Sequence, residues 1–207
     1  MRKILISCGS NKGGEFTTFK ESKIYSDDFQ IYAFEPEPRC FPYIENVQTR
    51  IPNITHIKKA VSTSDGTATF NIGNLTVSGS LRDDKVWGLT GSTLTVETID
   101  FSKWVSENIT ADDYVIVTFD IEGSEYDVLE KMIADNTINL IDKMYVEFHG
   151  NKLHGDTKLR EDVIKGNLSA VFGNNFFARF VEGDMNMFAS AYPSLDPNMF
   201  NNIGAVA

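Results

Sequence analysis

The stretch that decides the fold is VIVTFDIEGS, residues 115–124, which is followed directly by EYDVLEKM. In it, the apolar run 114–119 ends in two carboxylates, Asp120 and Glu122, and a glycine then leads into a helix-type pattern. This order is typical of a buried parallel strand followed by its crossover helix. Open α/β sheets bind ligands at the carboxyl ends of such strands, so both carboxylates are candidate functional residues.

A second strand with an acidic end follows downstream. Residues 143–150, KMYVEFHG, end in Glu147 and His149, which are two positions apart and therefore lie on one face of the strand. If the two strands are neighbours, these side chains meet Asp120 and Glu122 at one site. Carboxylates and an imidazole can bind a divalent metal ion. They can also supply a general base, because histidine titrates near neutral pH.

A structural role for this predicted cluster is the alternative to a functional one. Glu122 would then simply be favoured at the helix entry by the helix dipole, and Glu147 would be a structural partner. We favour a functional role without a metal ion and keep a divalent metal as a less favoured possibility.

Strands and helices alternate along most of the chain, which predicts a mostly parallel sheet with helices on both faces. The predicted strands are residues 3–8, 30–34, 53–61, 114–121 and 143–148, and the predicted helices are residues 15–23, 39–48, 100–108, 125–135 and 159–172.

The rest of the pattern is less regular. Asp65-Gly66 predicts a hairpin between residues 58–61 and 67–72. Residues 76–92 are expected to form a long loop and residues 93–99 an edge strand. Residues 176–181 and 186–191 are expected to close the sheet as an antiparallel pair.

Composition narrows the class of protein. The 207 residues predict one domain over residues 1–207, and a formal net charge of −10 argues against nucleic acid as a partner. No run approaches the roughly 20 apolar residues of a membrane span, and residues 4–6 are too short for a signal peptide. Cys8 and Cys40 form no CxxC pair and are expected as free thiols in a reducing compartment. A cytoplasmic protein is therefore predicted, and a homo-oligomer stays open.

Two strand-end features favour a nucleoside ligand. The loop GSNKGG, residues 9–14, lets the backbone approach a ligand closely, although it matches neither the GxGxxG fingerprint nor a P-loop. Glu35 ends the second predicted strand, where an acidic side chain can accept hydrogen bonds from a ribose diol.

Several of these motifs, in the same order, resemble the FkbM-type S-adenosylmethionine-dependent methyltransferases. The most specific is FDIEGSEYDVL, and the full set is FDIEGSEYDVL at residues 119–129, MYVEFHG at 144–150, AFEPEP at 33–38, CGSNKG at 8–13, AVSTSDGTATF at 60–70 and SGSL at 78–81.

This resemblance implies a class I methyltransferase fold, a Rossmann-like three-layer sandwich whose seven-stranded, mostly parallel sheet ends in an antiparallel strand. It also implies S-adenosyl-L-methionine as cofactor and O-methylation of a hydroxyl on a sugar, a glycan or a related small molecule. The cofactor-binding residues that it implies are Gly9, Ser10, Asn11 and Gly13 for the methionyl part, Glu35 for the ribose, Ala60 and Val61 beside the adenine, Ser80 in the serine motif, and Asp120 near the sulfonium.

For the chemistry, we expect His149 or Glu122 to act as the base, with Asp120 helping to hold the cofactor. The chain has Ser7 where the family usually has an acidic residue at the end of the first strand. A binding protein that keeps the fold without the activity is therefore one alternative. A nucleotide-dependent oxidoreductase is another, and the missing GxGxxG counts against it.

Overall fold

The computed structural model describes residues 1–155 and 157–179, which form strands and helices in alternation. In chain order the elements are β1 Lys3–Cys8, α1 Gly14–Glu21, β2 Phe29–Phe34, α2 Phe41–Gln48, β3 Ile54–Ile57, β4 Ala60–Ser62, β5 Gly66–Gly73, β6 Leu89–Asp100, α3 Phe101–Asn108, β7 Tyr114–Phe119, α4 Glu125–Ala134, β8 Lys143–Glu147, α5 Lys158–Phe172 and β9 Phe176–Arg179. The five helices begin and end within two residues of the predicted ones. Asp100 caps α3 as expected, because its Oδ1 accepts a hydrogen bond from the Lys103 N–H at 3.1 Å.

The main sheet has the strand order β3-β2-β1-β7-β8-β9, and its pairs are all parallel. The predicted mostly parallel α/β fold is therefore confirmed. β1 lies at the centre, and Ile4, Leu5 and Ile6 are each at most 1% exposed because helices cover both faces. The same registers place β7 between β1 and β8, so the carboxyl ends of these three strands meet at one edge of the sheet.

The predicted count of seven strands differs from the six strands found in the described part of the chain. β9 corresponds to the first arm of the expected antiparallel closing pair and runs parallel to β8, with Met144 opposite Phe176. The second arm, residues 186–191, lies outside the described residues.

The predicted hairpin around Asp65-Gly66 is wrong, because a second, three-stranded sheet of order β4-β6-β5 takes its place. β6 lies between β4 and β5, parallel to the first and antiparallel to the second, so the expected edge strand is the central one. Asp65 explains the difference. Its Oδ1 accepts a hydrogen bond from the Asp100 N–H at 3.1 Å, which joins the turn to the end of β6.

The chain leaves the main sheet where a single long strand, residues 53–61, was predicted. β3 ends at Ile57, and β4 begins at Ala60 in the small sheet. Residues 76–88 form the expected connection, with one short 3₁₀ turn at Thr76–Ser78, and β6 begins at Leu89, so the last four residues of the predicted loop belong to that strand. Within the described residues, no helix is long and apolar enough to cross a membrane.

Candidate functional site

A cavity lies at the carboxyl edge of the main sheet and is roofed by the small sheet. The cavity brings together most of the residues that the sequence singled out: Gly9, Asn11, Glu35, Ala60, Val61, Asp120 and Glu122 all line it.

Gly9 lets two strand ends approach each other under the cavity. Its φ of +86° lies in the left-handed region, and a Cβ there would stand 1.9 Å from the carbonyl oxygen of Asp120. The Gly9 N–H donates to the Phe34 carbonyl at 3.0 Å, and the Asp120 N–H donates to the Cys8 carbonyl at 2.9 Å. Only glycine satisfies both the backbone angle and the close contact at this position.

Glu35 is fixed in the cavity wall by two backbone donors. Its Oε2 accepts from the Asn11 N–H and its Oε1 from the Glu37 N–H, both at 2.8 Å. Burial raises the pKa of Glu35 to about 7, and these two hydrogen bonds offset part of that rise. Each oxygen keeps a lone pair, so the carboxylate can still accept hydrogen bonds from a diol in the cavity.

The other predicted cofactor residues lie behind the cavity and support it. The Ser10 hydroxyl donates to the Ser7 hydroxyl at 2.9 Å, and the Gly13 N–H donates to the Ser10 carbonyl at 2.8 Å. Ser80 donates from its hydroxyl to the Glu122 carbonyl at 2.6 Å. These residues shape the loops that form the wall, and Ser10, Gly13 and Ser80 are absent from the lining itself.

Glu15 places a carboxylate beside Ser7, at the strand end where the resemblance led us to expect an acid. It accepts hydrogen bonds from the Ser7 hydroxyl and, at 3.3 Å, from the Thr118 hydroxyl. Burial raises the pKa of Glu15 to about 7, and the two hydroxyl donors lower it in part. Nothing in the sequence indicates this contact, because Glu15 is simply an acidic residue in the first turn of α1.

The four strand-end residues converge as predicted. The His149 Nε2 lies 3.5 Å from Asp120 Oδ1, 3.5 Å from Glu122 Oε1 and 3.7 Å from Glu147 Oε1. Asp120 is open to the cavity, with 54% of its side chain exposed, whereas the side chains of Glu122 and His149 are only 9% and 1% exposed. We call Asp120, Glu122, Glu147 and His149 the acidic cluster.

Glu125, which sequence reasoning missed, holds His149 from behind. The His149 Nδ1 lies 2.8 Å from Glu125 Oε1, and Glu125 also accepts from the Ile121 and Gly123 N–H groups at 2.9 Å. Glu125 is fully buried in the first turn of α4. An acidic residue that satisfies the backbone donors entering its own helix was a usable signal, because capping boxes work in the same way.

Glu122 is held between two lysines that the sequence did not reveal. Its Oε2 accepts from Lys85 Nζ at 2.6 Å, and Lys152 Nζ lies 2.9 Å from Oε1 and 3.0 Å from Oε2. Glu122 also has a φ of +54°, which is rare for a residue with a side chain and is most often found at functional sites. Burial lowers the pKa of Lys85, and Glu122 counteracts that effect.

Burial and mutual charge perturb the acidic cluster strongly. The pKa of Asp120 is raised, first because protein atoms surround the carboxylate deep in the cavity, although its side chain is open to the cavity itself, and then by Glu147 and Glu122, while His149 opposes the rise. Burial alone would lower the pKa of His149, but the attraction of Glu125 and the other carboxylates outweighs it and raises that pKa. Perturbed titrating groups that line a cleft are a physical signature of a functional site.

Comparison with known proteins gives a family match and one similar solved structure. The model of the methyltransferase FkbM domain matches residues 7–170. A crystal structure of the methyltransferase FkbM from Methylobacillus flagellatus KT is similar at 14% identity and a TM-score of 0.48, covering 81% of this chain and 37% of that one. This chain thus spans little more than a third of that protein, and no curated protein matches it. Because the domain model covers most of the chain, the chain belongs to the FkbM methyltransferase family.

Proposed function

We propose that the protein is an S-adenosyl-L-methionine-dependent methyltransferase that methylates a hydroxyl of a sugar, a glycan or a related small molecule. The observation that carries this proposal is the position of Glu35, a buried strand-end carboxylate in the same cavity wall as Gly9 and Asp120. A nucleoside pocket therefore adjoins an acidic cluster.

The residues of the cavity fit such a cofactor. Glu35 offers free lone pairs to a ribose diol. Ala60, Val61 and Phe70 line the cavity with apolar surface, which suits an aromatic base. Asp120 presents a carboxylate to the cavity, and its negative charge attracts the cationic end of the cofactor.

The bound cofactor supplies a methyl group on a sulfonium, which is a good leaving group. The contribution of the chain is to align the acceptor hydroxyl and to receive its proton. Asp120 is the member of the acidic cluster that an acceptor can reach, since Glu122 is engaged by two lysines and His149 is buried. We therefore assign the proton-accepting role to Asp120, with the predicted bases His149 and Glu122 as the alternatives.

The exposed side chain of Trp87 favours an acceptor that has an apolar ring face. The Trp87 side chain is 64% exposed, and Lys152 Nζ lies 5.8 Å from its ring centroid. Lys152 in turn contacts Glu122, so the indole stands near the acidic cluster. Aromatic rings of this kind combine large contact area with low entropic cost.

Calorimetric titration with S-adenosylhomocysteine tests the cofactor, with NAD as the control ligand. We expect binding of the first ligand alone, and weaker binding in Glu35→Gln but not in Glu45→Gln, whose carboxylate is exposed on α2. Binding of NAD instead would favour the oxidoreductase. A folded protein that binds neither ligand would favour a binding protein without this activity.

Single-turnover rates at saturating cofactor then test the base. Asp120→Asn should slow methyl transfer more than Glu122→Gln or His149→Gln if Asp120 receives the proton. The affinity for S-adenosylhomocysteine is measured for each variant, so that loss of binding is separated from loss of chemistry. A larger rate loss in His149→Gln, with binding intact, would return the role to the histidine.

A further inference from the structure

We propose that Asp120, Glu122 and His149 bind a divalent cation at the edge of the cavity. This inference deepens the proposed function and rests on it for its role, although the site itself is argued from geometry alone. The three side chains offer one imidazole nitrogen and two carboxylate oxygens, which all lie within 4.8 Å of one another.

The strongest evidence is an unpaired atom. His149 is fully buried, and its Nε2 has no hydrogen-bond partner among the residues that the structure describes. Buried polar atoms without a partner are rare in folded proteins, and each one calls for an explanation. This atom points into a group of carboxylates, where a cation would satisfy it.

The other nitrogen of the same ring is oriented as a metal-binding histidine requires. Nδ1 lies 2.8 Å from Glu125 Oε1, and an ionised carboxylate can only accept. Nδ1 therefore keeps its proton directed at Glu125, and a cation at the carboxylates would take the place of the proton on Nε2. Metal-binding histidines characteristically donate their second N–H to a carboxylate in this way.

The spacing of the donor atoms fits one shared ion. Nε2 lies 3.5 Å from Asp120 Oδ1 and 3.5 Å from Glu122 Oε1. Donors that each lie about 2.1 Å from a common ion are this far apart when the angle between them is about 110°. The mixed nitrogen and oxygen set suits Mn²⁺, Fe²⁺ or Zn²⁺ better than Ca²⁺ or Mg²⁺, which prefer oxygen ligands.

The two lysines on Glu122 have different effects on this site. Lys85 holds Oε2 at 2.6 Å and so leaves Oε1 directed toward His149. Lys152 lies 2.9 Å from Oε1 and competes with a cation for that oxygen. Removing the Lys152 charge should therefore tighten cation binding.

The open side of the site faces the cavity through Asp120. An acceptor hydroxyl that enters there would meet the cation directly. A divalent cation lowers the pKa of a bound hydroxyl, so proton loss from the acceptor would become easier. Asp120 has two oxygens, and it can bind the cation with one and accept the proton with the other.

Titration of the full chain with Mn²⁺, followed by electron paramagnetic resonance and calorimetry, tests the site. We expect one saturable Mn²⁺ per chain, with affinity reduced about tenfold or more in His149→Gln and in Asp120→Asn. His154→Gln is the matched control, because His154 is exposed and should leave the affinity unchanged. Lys152→Met should increase the affinity.

Two outcomes would overturn the proposal: a folded protein without saturable Mn²⁺ binding, or binding that is indifferent to both His149→Gln and Asp120→Asn. Asp120→Asn keeps the test decisive if the buried variant His149→Gln fails to fold, because the Asp120 side chain is exposed. S-adenosylhomocysteine binding is measured separately. If that ligand binds and Mn²⁺ does not, the cation site alone fails; if Mn²⁺ binds and that ligand does not, the proposed function fails.

Discussion

Replacing Gly9 with alanine should damage both the fold and the cavity. The new Cβ would stand 1.9 Å from the Asp120 carbonyl oxygen, and the two atoms must move about 1.5 Å apart to reach ordinary contact. The backbone of Asp120 would have to shift, and its N–H donates to the Cys8 carbonyl. Because Asp120 also lines the cavity, the shift should reduce stability and ligand binding together.

Gly91→Ala is the control that isolates the cost of the backbone angle. Gly91 has a φ of +80°, close to that of Gly9, but a Cβ there would meet no atom of the described residues 1–155 and 157–179 within 4 Å. The left-handed angle should cost each variant about 1–2 kcal/mol. Overpacking against Asp120 should cost Gly9→Ala about 1–3 kcal/mol more.

Urea unfolding and calorimetry with S-adenosylhomocysteine measure the two effects. We expect Gly9→Ala to lose more free energy of unfolding than Gly91→Ala and to bind the ligand about tenfold more weakly or worse, since one pKd unit is about 1.4 kcal/mol. Gly91→Ala should bind it normally. Equal losses of stability in the two variants, with binding intact in both, would refute the reasoning.

Three further outcomes follow from the contacts described. Asp113→Asn should lower the free energy of unfolding at pH 7 by about 2 kcal/mol, because Asp113 accepts a charge-assisted hydrogen bond from Arg2 at 2.8 Å. That bond holds the pKa of Asp113 below its usual value. In urea unfolding, the difference in free energy of unfolding between wild type and variant should therefore be largest above about pH 4 and should shrink as the pH falls further. Burial raises the pKa of Glu15 from 4.5 to about 7, so the folded protein keeps a proton that the unfolded chain loses, and the free energy of unfolding should fall between about pH 4.5 and pH 7 and level off above that. Glu15→Gln should remove that part of the dependence, and an unchanged urea midpoint profile would contradict it. Trp87→Ala should raise the KM for the acceptor with little change in kcat, and a fall in kcat alone would argue against an acceptor contact.

The sequence predicted the main sheet well because its signals are local. An apolar run followed by a polar strand end is visible in β1, β2, β7 and β8, and parallel strands must bring such ends to one edge. The convergence of the acidic cluster followed from that rule. Neither part needed knowledge of contacts between distant residues.

The small sheet could not be predicted in the same way. Asp65-Gly66 is a strong local hairpin signal, but long-range pairing with β6 outweighed it. Lys85 and Lys152 lie outside any motif, and their contacts with Glu122 join segments far apart in the chain. The sequence also favoured no metal, since nothing in it reveals that the His149 Nε2 is buried with no hydrogen-bond partner in the described part of the chain.

The cavity is walled by two sheets that share no strand, and this has a mechanical consequence. One wall comes from the strand ends of the main sheet, and the other from β4, β5 and the segment after them. The chain passes between the two sheets at two points, residues 58–59 and Asp100. A molecule bound in the cavity would link the two sheets at a third point. β6 lies between β4 and β5, which contact the cavity. A ligand in the cavity is therefore expected to slow amide hydrogen exchange in β6 as well, although β6 itself is not part of the wall.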